Sequence, residues 1–221
     1  MQFVTTADGS KTIFNAEVGE NYHSKHGALQ ESKHVFLKSG LEFYIERNPK
    51  TTLNILEVGF GTGLNFLLSA EYCLQNRLAL SYTGIEAYPL SLQMISQTGF
   101  ESYVSSSVFQ NLITNYELSF QSERQINEYC SLTIANCKLQ DFETLQTFDV
   151  LYFDAFAAIH QPEMWTDEAL ENCCKYLKPG GVFVTYAITG NLKRSMKSLG
   201  FEIEKAAGAP GKREMLRAIK K

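Results

Sequence analysis

The stretch Leu53-Asn54-Ile55-Leu56-Glu57-Val58-Gly59-Phe60-Gly61-Thr62-Gly63 decides the fold. Residues 53–58 form a short apolar run of the kind that makes a buried strand. Three glycines at alternating positions then force a tight turn, and Leu64 to Gln75 carries the composition of a helix. Working outward, the same alternation repeats. Leu78 to Glu86 reads as a second strand and Pro89 to Gln97 as a short helix with proline in its first turn. Leu132 to Cys137 and Phe148 to Asp154 read as a third and fourth strand. Residues 165–177 read as a helix stopped by Pro179-Gly180-Gly181, followed by a fifth strand from Val182 to Ile188. Asn191 to Leu199 is a helix closed by Gly200, and 201–206 and 214–219 are two final strands joined by a Gly/Pro loop. This order predicts an α/β fold: a mostly parallel, Rossmann-like sheet of seven strands, helices on both faces and an antiparallel C-terminal hairpin. Upstream, 1–25 reads as short strands with a turn at Asp8-Gly9, and 26–46 as a helix broken at Gly40. Residues 98–130 are polar and are expected to hold one or two helices. A single domain is expected, with 1–50 as a lead-in and 51–221 as the core.

The glycine turn lies between the first strand and its helix, where ligands sit in open α/β sheets. Its spacing is GxGxG. A dinucleotide fingerprint, GxGxxG, would need glycine in place of Leu64. The turn therefore suits an amino-acid and ribose moiety better than a pyrophosphate. Glu86, at the end of the second strand, is placed to accept hydrogen bonds from both ribose hydroxyls. These features favour S-adenosylmethionine (SAM) over NAD, with Glu57, Gly59, Gly61, Gly63 and Glu86 as candidate cofactor-binding residues. The segment Lys178-Pro179-Gly180-Gly181 resembles the fifth-strand entry of class I methyltransferases.

Asp154-Ala155-Phe156-Ala157 follows the fourth strand, whose end should lie beside the first. Methyl transfer from a sulfonium needs an aligned acceptor and a dry site more than it needs an activated nucleophile. An amine acceptor must also be neutral, so a nearby carboxylate can take its proton. Asp154 is the candidate catalytic residue and Phe156 an aromatic wall. Trp165, the only tryptophan, is expected to pack at the start of a helix rather than line the pocket.

The chain has 221 residues and a net charge of −4, which argues against a protein that coats nucleic acid along its whole surface. The charge is uneven: 191–221 hold nine Lys or Arg against three acidic residues, a basic C-terminal end able to meet phosphates. No stretch reaches the length of a membrane span, and no signal peptide is visible. The five cysteines include no CxxC pair. Free thiols, a cytoplasmic location and no metal site are the expectation.

Taken together, GFGTGLNFL (59–67), FDVLYFDAFA (148–157), QPEMW (161–165), LKPGGVFVTY (177–186) and PGKREMLRA (210–218) resemble the methyltransferase half of the MnmC family. YHSKHGALQESKHVFL (22–37) resembles that family's lead-in segment. The resemblance implies methyl transfer from SAM to the exocyclic amine of an aminomethyl group on the tRNA wobble uridine, completing 5-methylaminomethyl-2-thiouridine. It implies that Glu57 and the three glycines hold the methionine end, that Glu86 holds the ribose and that Asp154 stands near the acceptor amine. The basic C-terminal face would meet the anticodon arm. Bifunctional members also carry a FAD-dependent oxidase domain, for which this chain has no room, so the substrate is expected to arrive already as the aminomethyl derivative. The family pattern further leads one to expect an acidic residue for the adenine amino group after the third strand. Lys138 stands there instead, and Asp141 is the nearest substitute. Three other readings remain open: a class I methyltransferase for a small-molecule amine, a NAD-dependent oxidoreductase, and a non-catalytic RNA-binding module with a relic SAM pocket.

Overall fold

A computed structural model describes residues 1–221. Its main sheet begins with β4 (Thr52–Val58), after three short strands, β1 (Gln2–Thr5), β2 (Lys11–Asn15) and β3 (Glu20–Asn21), that form a separate antiparallel sheet. Then follow α3 (Leu64–Asn76), β5 (Ala79–Ile85), α4 (Leu92–Ser96), α5 (Ser106–Asn115), β6 (Arg124–Asn127), β7 (Cys130–Ala135) and β8 (Phe148–Phe153). The chain closes with α6 (Asp167–Cys174), β9 (Leu177–Thr185), α7 (Gly190–Ser198), β10 (Phe201–Ala207) and β11 (Glu214–Lys220). The strand order is β10-β11-β9-β8-β4-β5-β7-β6. β7, β5, β4, β8 and β9 are parallel, and β11 runs antiparallel between β9 and β10. This is the expected sheet plus an eighth, edge strand, because β6 pairs antiparallel with β7 in a stretch expected to be helical. Its alternation is too short to register against the polar background.

The central strands read as continuous apolar runs because both their faces are covered. Leu53 and Ile55 of β4, with Val150 and Tyr152 of β8, share one core with α3 and the lead-in, where Phe36 meets the Tyr152 ring at 5.3 Å. Leu56, Val58, Leu151 and Phe153 point the other way, against Leu170 and Cys173 of α6 and Met196 of α7. No helix is long and apolar enough to cross a membrane.

Two local expectations change. Residues 28–47 form one continuous helical segment, α1 (Ala28–Glu31), a π-helical stretch Ser32–Glu42 and α2 (Phe43–Arg47), which runs through Gly40 without a break. Gly40 is there for closeness: a Cβ on it would lie 2.9 Å from the Tyr152 ring and 3.0 Å from Val184. Lys178-Pro179-Gly180-Gly181 is also not a helix stop. It lies within β9, where the register against β8 shifts. Lys178 reaches the buried Asp149 at 3.0 Å. Asp149 also accepts from the Tyr44 hydroxyl at 2.8 Å and the Asn54 amide at 2.9 Å, tying the helical lead-in to the lower edge of β4 and β8.

Candidate functional site

After β4 the chain builds outward through β5 and β7, then returns to the other side of β4 as β8. The gap at the carboxyl ends of β4 and β8 is the topological switch point, where α/β sheets bind ligands. A cavity of about 710 Å³ opens there, within the roughly 300–1,000 Å³ of small-molecule sites.

One end is framed by the glycine turn. The Gly59 and Phe60 amides donate to the Ile85 carbonyl at 3.0 and 3.1 Å, which hooks the turn over β5. Gly59 has φ +86°, and a Cβ on it would stand 2.5 Å from the Asp154 carbonyl oxygen. No side chain fits there. Glu86 receives the Gly61 amide on Oε2 and the Tyr88 amide on Oε1, each at 2.9 Å. Its carboxylate thus faces the turn with acceptor capacity left on both oxygens. Burial raises its pKa, against the lowering effect of those amides.

On the other side of β4 from Glu86, at the end of β8, stands Asp154. Its amide donates to the Val58 carbonyl at 2.9 Å, locking the β8 end beside the glycine turn. Asn65, in the first turn of α3, donates through Nδ2 to Glu57 Oε1 and to Asp154 Oδ2, both at 2.9 Å. One amide therefore holds two carboxylates. Asn65 Oδ1 and Glu57 Oε2 are buried and have no hydrogen-bond partner. Burial pushes the Glu57 carboxyl well above the usual range, with the Asp154 charge adding to the rise. Desolvation pushes Asp154 up to about 8, and the nearby Glu31 carboxylate acts in the same direction.

The lead-in covers the site. Glu20 accepts the Ala157 amide at 2.8 Å, and the Tyr22 ring meets Phe156 edge to face at 5.0 Å. His23 is buried between the Thr12 hydroxyl at 3.2 Å and the Thr62 hydroxyl at 3.3 Å. Burial lowers its pKa to about 4, so it is a neutral bridge from β2 to the glycine turn at physiological pH.

Gly59, Gly61, Glu86 and Asp154 line the cavity together. Glu57 and Gly63 do not. Glu57 lies beneath Asn65, and Gly63 caps α3 with φ +76°. Asp141 is also outside the lining. It is exposed on a 3-10 turn, and Cys137, Lys138, Leu139 and Gln140 border the cavity in its place. The turn Leu139–Asp141 carries Asp141 one position past the rim. Trp165 packs as expected: it stacks edge to face on Phe153 at 5.1 Å and donates to the Phe156 carbonyl at 2.8 Å.

Sequence reading missed Asn65, Glu31 and Tyr186. Asn65 carried a usable signal, a polar side chain inside the apolar run LNFLL. Lys212 was read as part of a basic surface, but it enters the cavity. Its Nζ lies 2.8 Å from Glu31 Oε2 and 3.9 Å from the centre of the Tyr186 ring. Arg217 pairs with Glu204 at 2.7 Å, and Lys220 donates to the Cys174 and Leu177 carbonyls. The C-terminal basic face is correspondingly smaller than the count of charges suggested.

The residues fit SAM. An amine-bearing ligand would meet the unpartnered acceptor of Asn65, and a ribose would meet Glu86. A sheet of this order with a glycine turn, a strand-end acid and a carboxylate across the switch point defines a SAM-dependent methyltransferase. The chain belongs to the S-adenosyl-L-methionine-dependent methyltransferase family Methyltransf_30, which it matches over residues 100–221. SAM is therefore its cofactor. It is 32% identical over 208 residues to the tRNA 5-methylaminomethyl-2-thiouridine biosynthesis bifunctional protein MnmC of Leptospira borgpetersenii, covering 88% of this chain. The MnmC protein of Leptospira interrogans is 30% identical over 93% of this chain. The chain spans about a third of the length of these curated relatives (31% and 33%). The crystal structure of MnmC2 from Aquifex aeolicus superposes with a TM-score of 0.80 at 25% identity, covering all of this chain and 70% of that one. The N-methyltransferase NodS from Bradyrhizobium japonicum shares the fold alone, with a TM-score of 0.51 at 14% identity.

Proposed function

We propose that this protein transfers a methyl group from SAM to the exocyclic amine of 5-aminomethyl-(2-thio)uridine at the wobble position of tRNA, in the cytoplasm. The observation that carries the amine acceptor is Asp154: a carboxyl raised to about 8, lining the cavity on the β8 side of β4 while Glu86 lies on the β5 side. A carboxylate with that proton affinity can take the proton of an attacking amine near neutral pH. The likeness to tRNA-modifying MnmC relatives over most of the chain supports the choice of tRNA.

Bound in the cavity, SAM supplies a methyl group already activated by its sulfonium. The protein's work is then alignment, dehydration and proton transfer. Glu86 would hold the ribose. Asn65, backed by Glu57, would offer Oδ1 to the methionine ammonium. Phe156 and Tyr22 wall the acceptor end against water. Asp154, held by Asn65, would accept the amine proton at its free oxygen. The Lys138–Gln140 rim would face the adenine.

The test is transfer of labelled methyl from SAM to tRNA carrying aminomethyluridine, and to a metabolite extract. Label in the tRNA at a single nucleoside is expected. Label only in the extract would replace the tRNA with a small-molecule amine, and SAM binding without any transfer would leave a binding module.

A further inference from the structure

The loop between β10 and β11 brings Lys212 into the wall of the cavity that Asp154 also lines, where Glu31 of α1 meets it. Glu31 is 6% exposed, and its Oε1 accepts the Ser24 amide at 3.0 Å. The Lys212 ammonium makes one hydrogen bond, to Glu31 Oε2 at 2.8 Å, and rests over the Tyr186 ring. Tyr186 in turn donates to the Ala155 carbonyl at 2.9 Å, next to Asp154. An ammonium has three donor hydrogens, and a carboxylate oxygen can accept more than one bond. The pair therefore presents a spare donor and a spare acceptor side by side in a cavity wall.

The geometry points to Lys212 and Glu31 as the pair that reads the polar edge of the acceptor base, a specificity role that rests on the function proposed above. In a 5-aminomethyl pyrimidine the group on C4 is the polar group of the base nearest the reacting amine. With the amine at Asp154, the C4 substituent would be the group offered to Lys212, which lines the same cavity, and the ring N3 lies one atom further along the same edge. Uracil offers a carbonyl acceptor at C4 and a donor at N3. Lysine then carboxylate is the complementary order. Cytosine offers a donor at C4 and an acceptor at N3, which sets donor against donor and acceptor against acceptor. A site that would leave buried polar groups unpaired with the wrong ligand discriminates strongly. The competing role, a clasp between the lead-in and the C-terminal hairpin, would act equally on every acceptor.

The experiment compares two anticodon stem-loop RNAs, one with 5-aminomethyluridine and one with 5-aminomethylcytidine at the wobble position. Initial methyl-transfer rates and SAM affinity are measured for the full chain, Lys212→Met, Lys212→Gln and Glu31→Gln. The unaltered protein is expected to favour the uridine RNA by about 10- to 100-fold in kcat/KM. Lys212→Met should bring the two RNAs to within about threefold by losing uridine transfer. Lys212→Gln, which offers a carbonyl as well as an N–H, should raise transfer to the cytidine RNA above that of the unaltered protein, an effect that loss of a clasp cannot produce. Glu31→Gln should keep part of the preference, because its carbonyl can still accept from N3. Equal transfer to both RNAs by the unaltered protein would overturn the assignment and leave the functional proposal standing. A preference unchanged in the Lys212 variants, with both rates reduced together, would make the pair a clasp. Transfer to neither RNA would overturn the functional proposal and this assignment with it.

Discussion

In the proposed mechanism Asp154 and Asn65 carry the chemistry at the residue scale, and pH would separate their roles. The unfolded carboxyl of Asp154 titrates near 3.8, and the folded one near 8. Between those values the folded state binds a proton that the unfolded state does not, so this group makes the ligand-free protein less stable as pH rises. Asp154→Asn is expected to raise the melting temperature of the ligand-free protein, more at pH 8.5 than at pH 5, and to lower methyl transfer by about 10²- to 10⁴-fold while SAM still binds. The rate of the unaltered protein should climb with pH up to about 8. Calorimetry and a pH–rate profile check both, and unchanged transfer in the variant would remove Asp154 from the mechanism. Asn65 lowers the Asp154 pKa through its hydrogen bond. Asn65→Leu should therefore move the rising limb of that profile to higher pH, and cost about 1–3 kcal/mol for the buried carboxyl partners left unpaired. A limb that stays in place would reduce Asn65 to packing. That Asp154, Glu86, Gly59 and Gly61 would meet at one cavity was legible in sequence, because each follows a strand end. Asn65 acts through two partners 8 and 89 residues away, a bridge that only the folded chain brings together.

At the scale of elements, what could be read was periodic and what could not was tertiary. The strands β4, β5, β7, β8 and β9 announce themselves as apolar runs between turn residues, and their order follows from alternation with helices. β6 and the π-helical stretch around Gly40 do not: β6 is four residues in a polar stretch, folded back on β7 by a short turn, and the close approach of Gly40 to Tyr152 is fixed by a neighbour distant in the chain. Lys178 in the Pro-Gly-Gly segment belongs with these. Its partner Asp149 joins the lead-in helix, β4 and β9 at the end of the sheet opposite the cavity. Burial alone would raise the Asp149 carboxyl, but the Asn54 amide, Lys178 and Tyr44 outweigh it and hold it below the usual range. A carboxyl lowered on folding stabilises above its unfolded pKa, and that contribution is lost as pH falls through the folded value. Asp149→Asn should thus destabilise the protein by about 1–3 kcal/mol at pH 7, with the difference shrinking towards pH 3. Denaturant unfolding at the two pH values measures it. An equal loss at both would mean that the hydrogen-bond geometry, and not the charge, holds these elements together.

For the whole molecule, the net charge of −4 makes binding of a polyanion depend on where the free cations lie. Of the basic residues in the C-terminal stretch, Lys212, Arg217 and Lys220 are engaged by protein partners. Lys205 and Arg213 are exposed on the β10–β11 hairpin, the same element that carries Lys212 into the cavity. A tRNA whose wobble base enters the cavity would lay its flanking phosphates across that hairpin. Each phosphate neutralised by a lysine or arginine releases condensed counterions, so affinity falls with salt at a slope set by the number of contacts. The double variant Lys205→Glu with Arg213→Glu should weaken tRNA binding by about tenfold or more at low salt. It should also reduce the magnitude of the log–log salt slope by roughly 1–2, the loss of one or two phosphate contacts. SAM affinity should not change, because neither side chain lines the cavity. Binding titrations over a range of salt concentrations decide it. Weaker binding with an unchanged slope would mean that the substitutions disturb the hairpin itself, and unchanged affinity would place the tRNA on another face, where Lys25 at the cavity rim is the next group to alter.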